Sequence, residues 1–332
     1  MGEAMLVRKG GAVLRGLEII SPPSKLKYFS GQYIDISGTV VGAQFGSFVI
    51  LLHESAWTYA PKRTLTAADK YITITATIGR QTKTALIPIE VEAFSSVLND
   101  NSWEQIANAA TAGIASTLWN VGDIKYESID GIYIGCRIIG FDADQLHSTD
   151  AKYSDTSYNA NKKKAAITFQ FIMEAGVSYM NYSASNVGGW DQCYMRLTKM
   201  PAAKAKCPDN MQAIMRKVSK FTSPGNYGSS YSAKVIESCD EMFLLAAQEV
   251  YGALGSNTVG SAEKTKTTQY AWYAEGHDCR KNTTYDEWLR SPHDPSGCSS
   301  RQDFAKIQAS DGQLYVWGTA NDILSYCPAF CV

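Results

Sequence analysis

The chain has 332 residues, with 31 Lys and Arg against 32 Asp and Glu for a formal net charge of -1. That is long enough for two domains, or one large one, with a real hydrophobic core, and the charge balance argues against an electrostatic grip on nucleic acid or an anionic membrane. No apolar run approaches the roughly twenty residues that span a bilayer, and Met1-Gly2-Glu3-Ala4 lacks the charged-then-apolar layout of a secretory signal, so the expectation is synthesis in a cytoplasm without membrane insertion.

Residues 1–15, with Lys9-Gly10-Gly11, read as a leader that orders only when docked on a partner. From Leu17 the pattern changes to short β-branched runs: Leu17 to Ile20, Ile34 to Ile36, Thr39 to Val41, Ser47 to Leu52, Tyr71 to Ile78 and Thr84 to Val91. Pro, Gly, Ser and Asp separate them. Runs of this kind over residues 16–92 predict a small all-β sandwich.

Residues 93–102 read as a linker, after which Trp103 to Ala110 is the first good helix, with Asn101 or Ser102 as its N-cap and Gly113 as its stop. Tyr126 to Ile129 and Gly131 to Asp142 should pair as a hairpin through Asp130-Gly131. Ile167 to Ile172 is another strand, while Asn210 to Val218 and Asp240 to Val250 fit helix or strand. Lys162-Lys163-Lys164 reads as a solvated loop.

Chemistry leaves few marks along the chain. The histidines, His53, His147, His277 and His293, form no two-His metal spacing, and the eight cysteines include no C-x-x-C pair. G-x-S-x-G, P-loop and G-x-G-x-x-G motifs are missing. No catalytic residue, metal or cofactor is therefore expected. Asn186-Val187-Gly188-Gly189-Trp190 is read as a sharp turn that inserts Trp190 in the core while Arg196 ties loops together, and Trp288 and Arg290 are read as structural too. The residues that follow differ in character. Between Trp288-Leu289-Arg290-Ser291-Pro292 and Pro328-Ala329-Phe330-Cys331-Val332 lies a stretch with neither helical nor strand period, rich in side chains that grip ligands.

Two resemblances extend these readings. Pro23-Ser24-Lys25-Leu26-Lys27-Tyr28, Gly31 and Ile34 to Val41 resemble the opening strands of bacterial immunoglobulin-like repeats, with Tyr28 and Ile34 in the core and Asp35 and Gly38 at a tight turn. Such modules are usually spacers. The remainder resembles C-terminal domains of phage and prophage proteins. Leu98 to Ile106, Trp119 to Asp123, Ile139 to Phe141, Ser185 to Arg196, Leu245 to Gly252, Gln269 to Tyr273, Trp288 to Pro292 and Pro328 to Val332 carry it in order. Its ending is similar to the C-type-lectin fold of phage tropism determinants and other variable proteins of diversity-generating retroelements.

The resemblances imply an immunoglobulin-like sandwich followed by an α+β C-type-lectin-like domain over 103–332. They imply a phage or prophage-encoded receptor-binding protein, displayed on a virion or alternatively on a bacterial cell surface. Its partners would be a host-cell surface protein or glycan, and, through the N-terminal region, a tail or capsid protein. Homo-oligomeric display, for example as a trimer, would add avidity. The ligand-binding residues implied are His293, Asp294, Ser299, Arg301, Asp303, Tyr315, Trp317, Thr319, Asn321, Asp322 and Tyr326. Assorted aromatic and charged residues at positions that are Asn-like in relatives are what adenine-directed mutagenesis of asparagine codons would leave. Glu-Pro-Asn and Trp-Asn-Asp are missing, so calcium is not implied. The alternatives are a structural decoration of the virion, or a glycan-acting enzyme using Asp191 and Glu249 as an acid/base pair.

Overall fold

A computed structural model of the chain describes residues 13–225, 234–252, 254, 261–277, 285–293 and 301–332. Strand accounts for 37% of the residues and helix for 20%, which makes the chain β-rich. It divides into two compact units, one ending at Phe94 and the other running from Ser95 to Val332.

The first unit contains β1 (Leu14–Ser21), β2 (Lys27–Phe29), β3 (Val40–Phe45), β4 (Phe48–Leu51), β5 (Trp57–Ala60), β6 (Tyr71–Ile78), β7 (Gln81–Pro88) and β8 (Glu90–Glu92). They form antiparallel sheets ordered β1-β3-β4 and β5-β6-β7, and a parallel pair β2-β8. Alternation in β6 turns Ile72, Ile74 and Ala76 inward, where they meet Tyr28, Val41, Trp57, Leu65 and Ile87. Leu14 is already buried in β1, so the expected leader is shorter than fifteen residues; residues 1–12 lie outside the described part.

Ile34 to Ile36 is not a strand, although Ile34 is buried as expected. The reason is local. The Tyr28 hydroxyl, which donates to the Lys25 carbonyl at 2.9 Å, accepts the Asp35 N–H at 3.3 Å, and the Ile36 carbonyl accepts the Thr39 N–H at 3.0 Å, so groups a ladder would need are already engaged. Asp35 Oδ1 accepts the Ser37 N–H at 2.9 Å and Gly38 takes φ +82°, which closes the turn.

In the second unit the stretch read as a linker is packed: Leu98 and Asn101 are buried, and the Asn101 side chain donates to the carbonyls of Ser95 and Val97. Ser102 caps the helix Trp103–Ala112 through a reciprocal box with Gln105, and Gly113 ends it at φ +71°. That helix lays Trp103 edge-on against Phe169 and Phe330. β9 (Ile124–Ile129) and β10 (Ile132–Phe141) pair through Asp130-Gly131, both at positive φ.

The later strands are β11 (Ile167–Phe171), β12 (Gly176–Ser178), β13 (Val218–Thr222), β14 (Ile236–Asp240), β15 (Met242–Phe243), β16 (Glu287–Pro292), β17 (Asp303–Ile307), β18 (Leu314–Thr319), β19 (Leu324–Tyr326) and β20 (Ala329–Cys331). One five-stranded sheet runs β15-β20-β11-β10-β9 and a second runs β12-β19-β16-β17-β18. The two segments that fitted either helix or strand contain both. Asn210 to Val218 overlaps the helix Asp209–Gln212 and enters β13, while Asp240 to Val250 contains β15 and most of the helix Ala247–Tyr251.

Candidate functional site

β16 is the central strand of its sheet, and all six of its residues are buried. Trp288 Nε1 donates to the Ser178 carbonyl at 2.9 Å. Arg290 donates to the Leu244 carbonyl and forms a two-pronged ion pair with Glu249 at 2.5 and 2.7 Å. Both partners lie on the helix Ala247–Tyr251 and the approach to it. Glu249 also accepts the Ala246 N–H at 2.9 Å and receives Lys220 at 3.3 Å. Lys220 in turn holds Asp144 and donates to the Tyr270 hydroxyl at 2.8 Å, which completes a buried cluster of alternating charge.

Burial alone would push both carboxyls up. For Asp144 the Lys220 charge and hydrogen bonds from Lys220, Thr168 and Cys331 outweigh it, and for Glu249 the charges of Arg290 and Lys220 do, so both end below the ordinary range. The unfolded chain therefore takes up these protons first as pH falls. The stability they contribute is complete above their ordinary values of 3.8 and 4.5 and is lost as pH falls through the folded ones. Urea unfolding of the second unit should show a steady midpoint from neutral pH to about pH 5 and a falling one below about pH 4. A midpoint unchanged down to about pH 3 would exclude the cluster from acid sensitivity.

Next to this support stand β17 and β18, the two strands on one side of the sheet. In β18 Val316 and Gly318 face inward, while Tyr315, Trp317 and Thr319 face outward. Gly318 is required there because a Cβ would come within 2.6 Å of the Trp288 ring. Trp317 is 56% exposed, and Tyr315 and His293 meet it edge-on at 5.7 and 5.4 Å. Lys306 of β17 lies over the Tyr315 ring at 5.0 Å and pairs with Asp286 at 2.8 Å, which fixes the tyrosine from one side. Beyond β18 a tight turn presents Asn321 and Asp322 to solvent. Asp322 Oδ2 accepts the Thr319 N–H at 3.1 Å, and the Thr319 carbonyl accepts the Asp322 N–H at 2.7 Å.

Asn186 secures the other border. Its side-chain amide donates to the carbonyls of His293 and Asp303, and its backbone N–H to that of Arg301. Gly188 and Gly189, at φ +88° and +57°, bring the chain round so that Trp190 is buried and donates to Asp240 at 3.0 Å. Arg196 reaches Asp240 at 2.6 Å, Asp191 at 3.3 Å and the Cys239 carbonyl at 3.1 Å. The turn and tying roles expected of this segment are both present.

Of the eleven expected ligand residues, the structure brings Tyr315, Trp317 and Thr319 onto one strand face, with Asn321 and Asp322 exposed at its end. Arg301 is exposed and bound through its carbonyl to Asn186. His293 and Asp303 are buried, with the His293 ring meeting Trp317 edge-on. Tyr326 is buried as well. β19 lies between β12 and β16, and Tyr326 crosses Gly176, where burial pushes its phenol up. Asp294 and Ser299 lie outside the described residues.

The carboxylates named for an enzyme do not meet as a free pair: Asp191 is held by Arg196, and Glu249 by Arg290 and Lys220. Burial pushes the Cys193 thiol up to about 12 and Cys207 to about 11, which makes both poor nucleophiles. The Lys220 cluster escaped sequence reading. The alternation Val218, Lys220, Thr222 was its one signal, because it sets a lysine on the inward side of a strand. No helix among the described residues is long and apolar enough to cross a membrane. No family model matches the chain, and no curated protein does.

Proposed function

We propose that the chain is a receptor-binding protein of phage or prophage origin, in which a C-type-lectin-like second unit presents the outer face of β17 and β18 to a host-surface protein or glycan. The first unit serves as an immunoglobulin-like spacer toward the virion. One observation carries the reading: β18 turns Tyr315, Trp317 and Thr319 outward while its backbone pairs with β17 and its Gly318 rests on the Trp288 ring of the wholly buried β16. Aromatic side chains supply contact area at small entropic cost, and a fixed strand lets them change without unfolding the sheet. A diversity-generating retroelement would exploit that separation, and a reverse transcriptase with a template repeat beside the gene would support its involvement.

Truncating Tyr315 and Trp317 to alanine should each weaken adsorption by about 2–4 kcal/mol, roughly thirty- to a thousand-fold, with the fold retained. The measurement is binding of purified protein to host cells and to isolated surface glycans. Adsorption undiminished in the double variant would overturn the reading. Attachment to the virion without affinity for any host surface would favour a decoration protein instead.

A further inference from the structure

The hairpin of β3 and β4 lies in a stretch without Asp, Glu, Lys or Arg from Ser37 to His53. β4 is the last strand of its sheet, and among the described residues no strand pairs with its outer side. Two other edge strands in this unit carry charge: β1 has Arg15, Glu18 and two register irregularities, and β7 has Lys83 and ends at Pro88. β4 has none. Its sequence, Phe48-Val49-Ile50-Leu51, is what a soluble edge normally avoids.

The ladder to β3 shows which backbone groups are left over. The Leu52 N–H donates to the Val41 carbonyl at 2.8 Å, and the register pairs Ile50 with Ala43 and Phe48 with Phe45. Antiparallel bonding alternates, so Phe48, Ile50 and Leu52 spend their amides on β3 while Val49 and Leu51 point theirs to the open edge. The same two side chains occupy the outer face of the sheet. With Ile20 and Val40 they form an apolar patch around Gly42, exposed at 39% for Val49 and 64% for Leu51.

We infer that β4 pairs with β4 of a second copy, antiparallel about a two-fold axis through Ile50. A two-fold perpendicular to the sheet keeps each side chain on its own face, which requires Ile50 opposite Ile50, Val49 opposite Leu51 and Phe48 opposite Leu52. In that register the free N–H and C=O groups of Val49 meet those of Leu51 in the other copy, so each such pair exchanges both of its hydrogen bonds. The two outer patches join across the axis. Charge does not oppose the contact, because the first acidic residue after the strand, Glu54, falls opposite Gly46. Three strands from each copy then make one continuous sheet.

Light scattering on the full chain, over a wide concentration range, is the first test, with a dimer expected. The V49K/L51K variant places lysines directly opposite one another on an exposed face and should be monomeric with an unchanged circular dichroism spectrum. Ile50→Cys sets two thiols opposite each other at a non-hydrogen-bonded pair, where Cα atoms about 4.5 Å apart permit a disulfide. Oxidation should give a covalent dimer whose linking peptide, identified by mass spectrometry, joins the two copies of position 50. Phe48→Cys should give none. A monomeric native chain, a dimer that survives V49K/L51K, or an Ile50→Cys protein that does not cross-link through that position would each overturn the inference.

Discussion

Replacing Arg290 with methionine is expected to lower the stability of the second unit by about 3–5 kcal/mol, the usual cost of removing one partner from a buried ion pair. The reason is the partner left behind. Glu249 would keep Lys220 at 3.3 Å but lose both prongs of its guanidinium, and the Leu244 carbonyl would lose a donor. Neutralising the stranded charge should then restore stability. In the R290M/E249Q variant the glutamine can still accept the Ala246 N–H, while Lys220 remains paired with Asp144, and about 1–2 kcal/mol should return. Six of the seven tryptophans, all but Trp57, lie beyond Phe94, so tryptophan fluorescence in urea follows this unit. A single variant within 1 kcal/mol of the native chain would show, to about that precision, that the cluster contributes little.

Trp288→Ala should cost about 3–5 kcal/mol, and its consequence reaches the face proposed for recognition. The indole fills the space that Gly318 leaves under β18, and its N–H binds the Ser178 carbonyl. Without it the strand carrying Tyr315 and Trp317 loses its floor. Ligand binding should weaken even at temperatures where the variant is folded, in contrast to Trp317→Ala, which should lose binding alone. The converse change, Gly318→Ala, drives a methyl toward the same ring and should be rescued in part by Trp288→Phe. If Trp288→Ala bound as tightly as the native chain, the face would not depend on this support.

Local signals made much of the secondary structure legible. The Ser102 to Gln105 box, Gly113 and Asp130-Gly131 each specify their own backbone, and the helix and hairpin appear where those residues place them. Ile34 to Ile36 misled because strand propensity says nothing about a hydroxyl from Tyr28 accepting the Asp35 amide or a turn taking the Ile36 carbonyl. The tail was half legible. Its aromatic richness pointed to β18, but whether a tyrosine faces out depends on which neighbours flank its strand: Tyr315 stands on β18 at the margin of the sheet, while Tyr326 on β19 is enclosed. Lys220 was hidden for the same reason, since Asp144 and Tyr270 lie 76 and 50 residues away along the chain.

Those separations also bear on how quickly the unit can form. β20 takes its place between β11 and β15, setting Phe330 beside Phe169, and the Cys331 thiol bonds to Asp144 across 187 residues. Closing such long intervals precedes the reward for closing them, so these pairings set the kinetic barrier. The hairpin of β17 and β18 is short-range by comparison. Exchanging Tyr315, Trp317 or Thr319 should therefore alter the unfolding rate modestly and leave the refolding rate almost untouched, which allows the face to vary from one variant to the next with little change in the time each needs to become native.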